Sequence, residues 1–157
     1  MTATRTSPAA PAAGRPTKGA GLPAAADGHP VLFFDGVCGL CNAAVDWLMA
    51  RDPQGVLRFA PLQGETAEKL LPSSDRECLD SLVFLDETGR SRRTRAVVRA
   101  LGKLGGRWAA ASWALWLIPG PVRDVAYRLI SKLRYAIWGK KESCRMPTPQ
   151  ERARFLP

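Results

Sequence analysis

Hydrophobic patterning begins late in this chain. Residues 1–28 are rich in Ala, Pro, Gly, Ser and Thr, with prolines at 8, 11, 16 and 23 and no apolar run, which predicts a disordered N-terminal tail. The stretch lacks the apolar core of a secretory signal. It shares a basic, acid-poor composition with organelle transit peptides, but its prolines interrupt the amphipathic helix such peptides form. At Val31-Leu32-Phe33-Phe34 a continuous apolar run predicts a strand buried on both faces. Ala44, Val45, Leu48 and Met49 then recur at helical spacing from Cys41 until Pro53 stops the pattern. A second strand is expected over 56–60, and a short helix over 65–71 ended by Pro72. Residues 81–85 read as a third strand, Asp86-Glu87-Thr88-Gly89 as a hairpin turn and 90–94 as the returning strand. Residues 96–104 are helical, closed by Gly105-Gly106.

Residues 108–118 are almost without polarity, yet far short of the ~20 residues that span a bilayer. Pro119-Gly120-Pro121 breaks the run. Val122, Val125, Ala126, Leu129, Ile130, Leu133 and Ile137 then mark one face of a long helix. Pro121 suits its first turn and Gly139 its C-cap. Arg123, Arg128, Lys132 and Arg134 occupy the other face. The two segments are expected to pack on the domain as a helical hairpin, with peripheral membrane contact as the alternative. The expected organisation is a tail over 1–28, a core over 29–106, a helical extension of the same domain over 107–145 and a polar tail over 146–157. The order β-α-β-α-β-β-α resembles a minimal thioredoxin-like α/β domain, its first crossover parallel and right-handed.

Composition adds little to this picture. A chain of 157 residues can bury one core and does not need two. The net charge of +9, from 23 basic and 14 acidic residues, invites comparison with nucleic-acid binders. Its arginines are scattered, however, and the densest run, Arg90-Ser91-Arg92-Arg93-Thr94-Arg95, alternates as a solvent-facing edge strand does. The charge is therefore assigned to general surface solubility, and no nucleic-acid partner is expected.

Chemistry concentrates at Cys38 and Cys41, directly between the first strand and the helix. Positions i and i+3 of a helix share a face about 5 Å apart, within reach of a disulfide. The helix N-terminus offers free N–H groups and partial positive charge to a thiolate at Cys38. Cys41 sits one turn in, where burial favours the thiol. Cys38 is thus expected to be the exposed nucleophile and Cys41 the resolving thiol. No Lys, Arg or His occurs between Val31 and Ala50, so cationic help must come from residues distant in sequence. Asp35, at the end of the strand, is a candidate general base for the Cys41 proton; an Asp-Gly turn bonding loop N–H groups is an equal and compatible reading. Cys78 reads as a small structural residue, and Cys144 as incidental or an accessory thiol. Neither belongs to a second C-x-x-C, and His29 is the sole histidine. These facts disfavour a zinc site and remove Cys–His hydrolysis unless His29 were the partner.

The run Asp35-Gly36-Val37-Cys38-Gly39-Leu40-Cys41-Asn42 resembles the D-G-x-C-x-x-C-N signature of the DCC family of thiol–disulfide oxidoreductases. The similarity continues through Leu57-Arg58-Phe59-Ala60-Pro61-Leu62-Gln63, the strand Asp80-Ser81-Leu82-Val83-Phe84-Leu85, and Tyr127-Arg128 with Arg134-Tyr135, covering roughly 30–145. The resemblance implies a thioredoxin-like fold, makes Cys38 and Cys41 the redox pair and draws Asp35 into the signature. Two departures stand out. Thioredoxins place a cis-proline just before the third strand, where this chain has Leu79-Asp80-Ser81, so substrate docking should differ. The family often has Asn where this chain has Leu133.

The expected function is protein-disulfide reductase chemistry without a bound cofactor, in the cytoplasm, on protein or small-molecule disulfides. It requires a partner that recycles the pair. The alternatives are a zinc-binding module and a non-enzymatic adaptor whose helical extension contacts a membrane or partner.

Overall fold

Strand β1 (Val31–Phe34) is buried at all four positions because its alternating side chains enter two different cores. Leu32 and Phe34 join Val45, Leu48, Phe59 and Phe84 in one, while Val31 and Phe33 join Ala60, Leu62, Ala67 and Val83 in the other. A strand with helices on both faces has no polar side to present. The computed structural model describes residues 28–77, 82–139 and 147–157. Residues 1–27 of the expected tail over 1–28, Cys78, the Leu79-Asp80-Ser81 stretch and Cys144 lie outside the described residues.

The remaining elements follow in order: α1 (Gly39–Met49), β2 (Arg58–Pro61), α2 (Glu65–Leu70), α3 (Ser73–Glu77), β3 (Val83–Asp86), β4 (Gly89–Arg92), α4 (Arg93–Lys103), α5 (Gly106–Leu117) and α6 (Gly120–Trp138). The sheet order is β2-β1-β3-β4. β1 pairs in parallel with β2, and antiparallel with β3, which pairs antiparallel with β4. This mixed four-stranded sheet and its helices fit the expected thioredoxin-like α/β class.

Helix α3 is an element that hydrophobic periodicity does not reveal, since Ser73–Glu77 holds no apolar residue. It is anchored electrostatically: the buried Asp75 pairs with Arg90 at 2.8 Å and Arg92 at 3.0 Å. Part of the arginine run on β4 therefore has an internal structural use.

Two further differences concern the C-terminal third. The apolar face of α6, expected against the domain, points outward. Val122, Val125, Leu129, Leu133 and Ile137 are exposed, and Arg134 is the buried residue of this helix. The polar side of α6 is turned inward by specific bonds. The Tyr127 hydroxyl accepts from the Leu82 N–H at 2.9 Å, and Asp124 accepts from the Thr94 hydroxyl at 2.5 Å. The last residues, expected as a polar tail, dock on β2. Phe155 bridges Phe59 in parallel and packs its ring 5.8 Å from that of Phe59 and 6.2 Å from that of Phe34. The Leu156 N–H donates to the Phe59 carbonyl at 2.8 Å. Among the described residues, no helix is long and apolar enough to cross a membrane.

Candidate active site at the Cys38–Cys41 turn

Strand β1 delivers Asp35 and Cys38 to the N-terminus of α1. Cys38 is the N-cap, with φ −81° and ψ 120°, and its sulfur accepts the Cys41 N–H at 3.4 Å. The sulfur thus takes the place of the hydroxyl or carboxylate that caps most helices. The sulfur therefore lies at the N-terminal, positive end of the α1 dipole. Asn42 holds the loop closed: its Nδ2 donates to the carbonyls of Gly36 at 3.0 Å and Cys38 at 2.9 Å. Asn42 is therefore a positioning residue for Cys38, a part that its place in the signature does not disclose.

Both thiols are free and buried. Cys38 has no exposed surface and Cys41 is 7% exposed, so the expected exposure of Cys38 is corrected. The C-terminal end of α6 lies on the loop: the Gly39 N–H faces the Gly139 carbonyl at 3.4 Å, and a Cβ at Gly39 would overlap the Trp138 carbonyl oxygen. Packing of a distant helix end, which no local pattern encodes, closes the turn.

Asp35 is buried beside the pair, and its two oxygens are separately engaged. Oδ1 accepts from the Val37 N–H at 3.2 Å and Gln63 Nε2 at 2.9 Å. Oδ2 accepts from the Tyr135 hydroxyl at 2.5 Å and faces Arg134 Nη2 at 3.5 Å. Gln63 in turn accepts the Gly36 N–H at 3.3 Å. The turn reading of Asp35 is thus realised within a larger polar network. Arg134, expected on the outward polar face of α6, is instead buried with Nη1 donating toward Cys41 Sγ at 3.5 Å. It is the cation distant in sequence that the turn itself lacks. Gln63, Arg134 and Tyr135 are the site residues that the reading of individual motifs missed; the signal available was their membership of the downstream blocks that accompany the cysteine signature.

The electrostatics are unequal across the pair. Burial pushes the Cys41 thiol up to about 12, and the hydrogen bond and charge of Cys38 push the same way, while the Arg134 guanidinium pulls it down. Tyr135 is likewise pushed up to about 12 by burial, then by its bond to Asp35 and the charge there. Burial works against the Arg134 charge, but Cys41, Cys38, Tyr135 and Asp35 outweigh it and raise the guanidinium above its ordinary value. Arg134 therefore stays cationic and Tyr135 stays a hydrogen-bond donor across the working pH range.

An apolar cavity of about 460 Å³ ends at this cluster, walled by Leu40, Cys41, Leu82, Val97, Leu115 and Arg134 among others. Among the described residues, no group of three or more His, Cys, Asp or Glu side chains could hold a metal ion.

A family model, the DCC1-like thiol-disulfide oxidoreductase, matches residues 32–140. The chain is 40% identical over 129 residues to the uncharacterized protein YuxK of Bacillus subtilis (strain 168), covering 81% of this chain and 93% of that one. It is 35% identical over 122 residues to the chloroplastic DCC family protein At1g52590 of Arabidopsis thaliana, covering 76% of this chain and 71% of that protein. No solved structure gives a significant match. With the model spanning both cysteines, Asp35, Gln63, Arg134 and Tyr135, the chain belongs to the DCC1-like thiol–disulfide oxidoreductase family.

Proposed function

We propose that the protein is a protein-disulfide reductase in which Cys38 attacks the target and Cys41 resolves the mixed disulfide. The observation that carries this division is the asymmetry of the pair: the Cys38 sulfur caps α1 and accepts an N–H, whereas burial holds Cys41 as a thiol. The Cys38 thiolate attacks one sulfur of the target disulfide. A Cys38–target disulfide forms, the target's own S–S bond breaks, and the leaving thiolate takes a proton from solvent. Two causes of the raised Cys41 pKa, the bond and the charge of Cys38, disappear at that moment, because the charge has passed to the leaving group. Arg134 then favours the Cys41 thiolate, and Asp35 accepts its proton. Attack of Cys41 on Cys38 Sγ closes the Cys38–Cys41 disulfide and releases the second target thiolate. Two electrons have moved from the pair to the target. A dithiol partner returns them, a direction that suits the reducing poise of the cytoplasm.

Because Cys38 is buried, reaction requires the turn to open, and the Trp138–Gly139 segment seated on Gly39 is the element placed to move aside. Trapping tests the assignment. Cys41→Ser should accumulate mixed disulfides through Cys38, identified by mass spectrometry, and Cys38→Ser should not. Equal trapping by both variants would refute the assigned roles.

A further inference from the structure

Helices α5 and α6 invert the usual arrangement of an amphipathic pair. Polar positions, among them Ser112, Asp124, Tyr127 and Arg134, bond to the domain, and although Trp108 and Leu115 pack on its core, many of the other large apolar side chains face away from it. Trp113 and Trp116 are 67% and 68% exposed, and Val122, Val125, Leu129 and Leu133 between 43% and 65%. Apolar exposure of this kind on two consecutive helices marks a surface that is covered in use. Its charge is one-sided. Arg107, Arg128 and Lys132 are exposed on these helices, whereas their sole acidic residue, Asp124, is bonded to Thr94.

We infer that the α5–α6 hairpin seats the protein on an anionic lipid surface. Aromatic and aliphatic side chains would enter the headgroup boundary while Arg107, Arg128 and Lys132 meet lipid phosphates. Charge selects this occupant over a second copy of the chain, because a two-fold contact through the same face would bring its cations together. No helix among the described residues is suited to span the bilayer, so the contact is peripheral. Ile118, Val122 and Ile130 belong to this face and also line the cavity that ends at Cys41. The seated protein would therefore present the mouth of that cavity to the membrane.

The inference is independent of the redox assignment, and its test is kept separate. The full chain is sedimented with vesicles of phosphatidylcholine alone and of phosphatidylcholine mixed with phosphatidylglycerol. Binding is expected only to the anionic vesicles and should fall with added salt. Replacing Arg128 and Lys132 by Glu should lower partitioning by at least about fivefold for each charge removed. Trp116→Ser with Leu129→Ser should abolish it, with melting temperature and thiol reactivity unchanged, since both residues are exposed. The Cys38→Ser, Cys41→Ser double variant should bind as the native chain does. Failure to bind anionic vesicles overturns the inference. So does a native dimer in solution that the Trp116→Ser, Leu129→Ser variant converts to monomer, which would assign the face to a second copy.

Discussion

Arg134 spans the resolving thiol and the proton acceptor of the proposed reaction, with one nitrogen 3.5 Å from Cys41 Sγ and another 3.5 Å from Asp35. It is the attraction that opposes burial at Cys41. Removing it should move the Cys41 pKa further upward, so less Cys41 thiolate exists at any pH and resolution slows. The expected result for Arg134→Gln is a pH–rate profile for mixed-disulfide resolution displaced to higher pH, with the trapped species visible near neutrality even though Cys41 is present. Arg134→Lys keeps the charge but cannot bridge both groups as a planar fork, and should fall between the two. Stopped-flow resolution of a preformed mixed disulfide measures this directly. A purely structural role would reduce the amount of active protein and leave the profile where it was. Loss of one partner from a buried ion pair also costs stability, about 3–5 kcal/mol, so the lysine variant is the one that keeps the measurement interpretable.

At the scale of elements, the site is the meeting of one local unit with two remote ones. The β1–α1 turn was legible in the sequence because all its determinants are near neighbours: an apolar run, an Asp-Gly turn and cysteines one helical turn apart. The rest depends on tertiary placement. Gln63 arrives on the β2–α2 connection, and Arg134 and Tyr135 on a helix whose apolar stripe predicts the opposite orientation. Helix α6 is oriented by its inward polar bonds rather than by that stripe, and α3 is held by ion pairs at Asp75, so periodicity misjudges one and misses the other. The contact between α6 and the turn is tight at Gly39, where a methyl group has no room against the Trp138 carbonyl. Gly39→Ala should push the Trp138–Gly139 segment off the turn. Alkylation of Cys38 should then be several-fold faster than in the native chain. Peptide mapping after a timed iodoacetamide pulse reads this, and an unchanged rate would mean that α6 does not control access to the thiol.

For the whole molecule, the chain's last residues close the fold. β2 is the outer strand on its side of the sheet, and an unpaired strand edge is open to pairing with other chains. Phe155 and Leu156 occupy that edge, with the Leu156 N–H on the Phe59 carbonyl and the Pro157 carbonyl accepting the Thr66 N–H at 2.6 Å. Gly64 leaves room for this: a Cβ there would come within 2.9 Å of the Pro157 carbonyl carbon. The Phe155 ring packs against Phe34 and Phe59, one residue before Asp35 and on the neighbouring strand, so the segment supports the strand that carries the site. Phe155→Ala should therefore destabilise the protein. The ring is half-buried, so about 2 kcal/mol is expected rather than the 3–5 of a fully buried phenylalanine. For a chain of this length that corresponds to a melting temperature lower by about 4–8 °C. The uncovered edge should also raise the tendency to aggregate on heating. Thiol reactivity at temperatures where the variant is folded should match the native chain, because the ring contacts of Phe155 are with Phe34 and Phe59. Scanning calorimetry with parallel light scattering measures both effects. A melting temperature within a degree of the native value would show that the docked segment is carried by the sheet rather than supporting it.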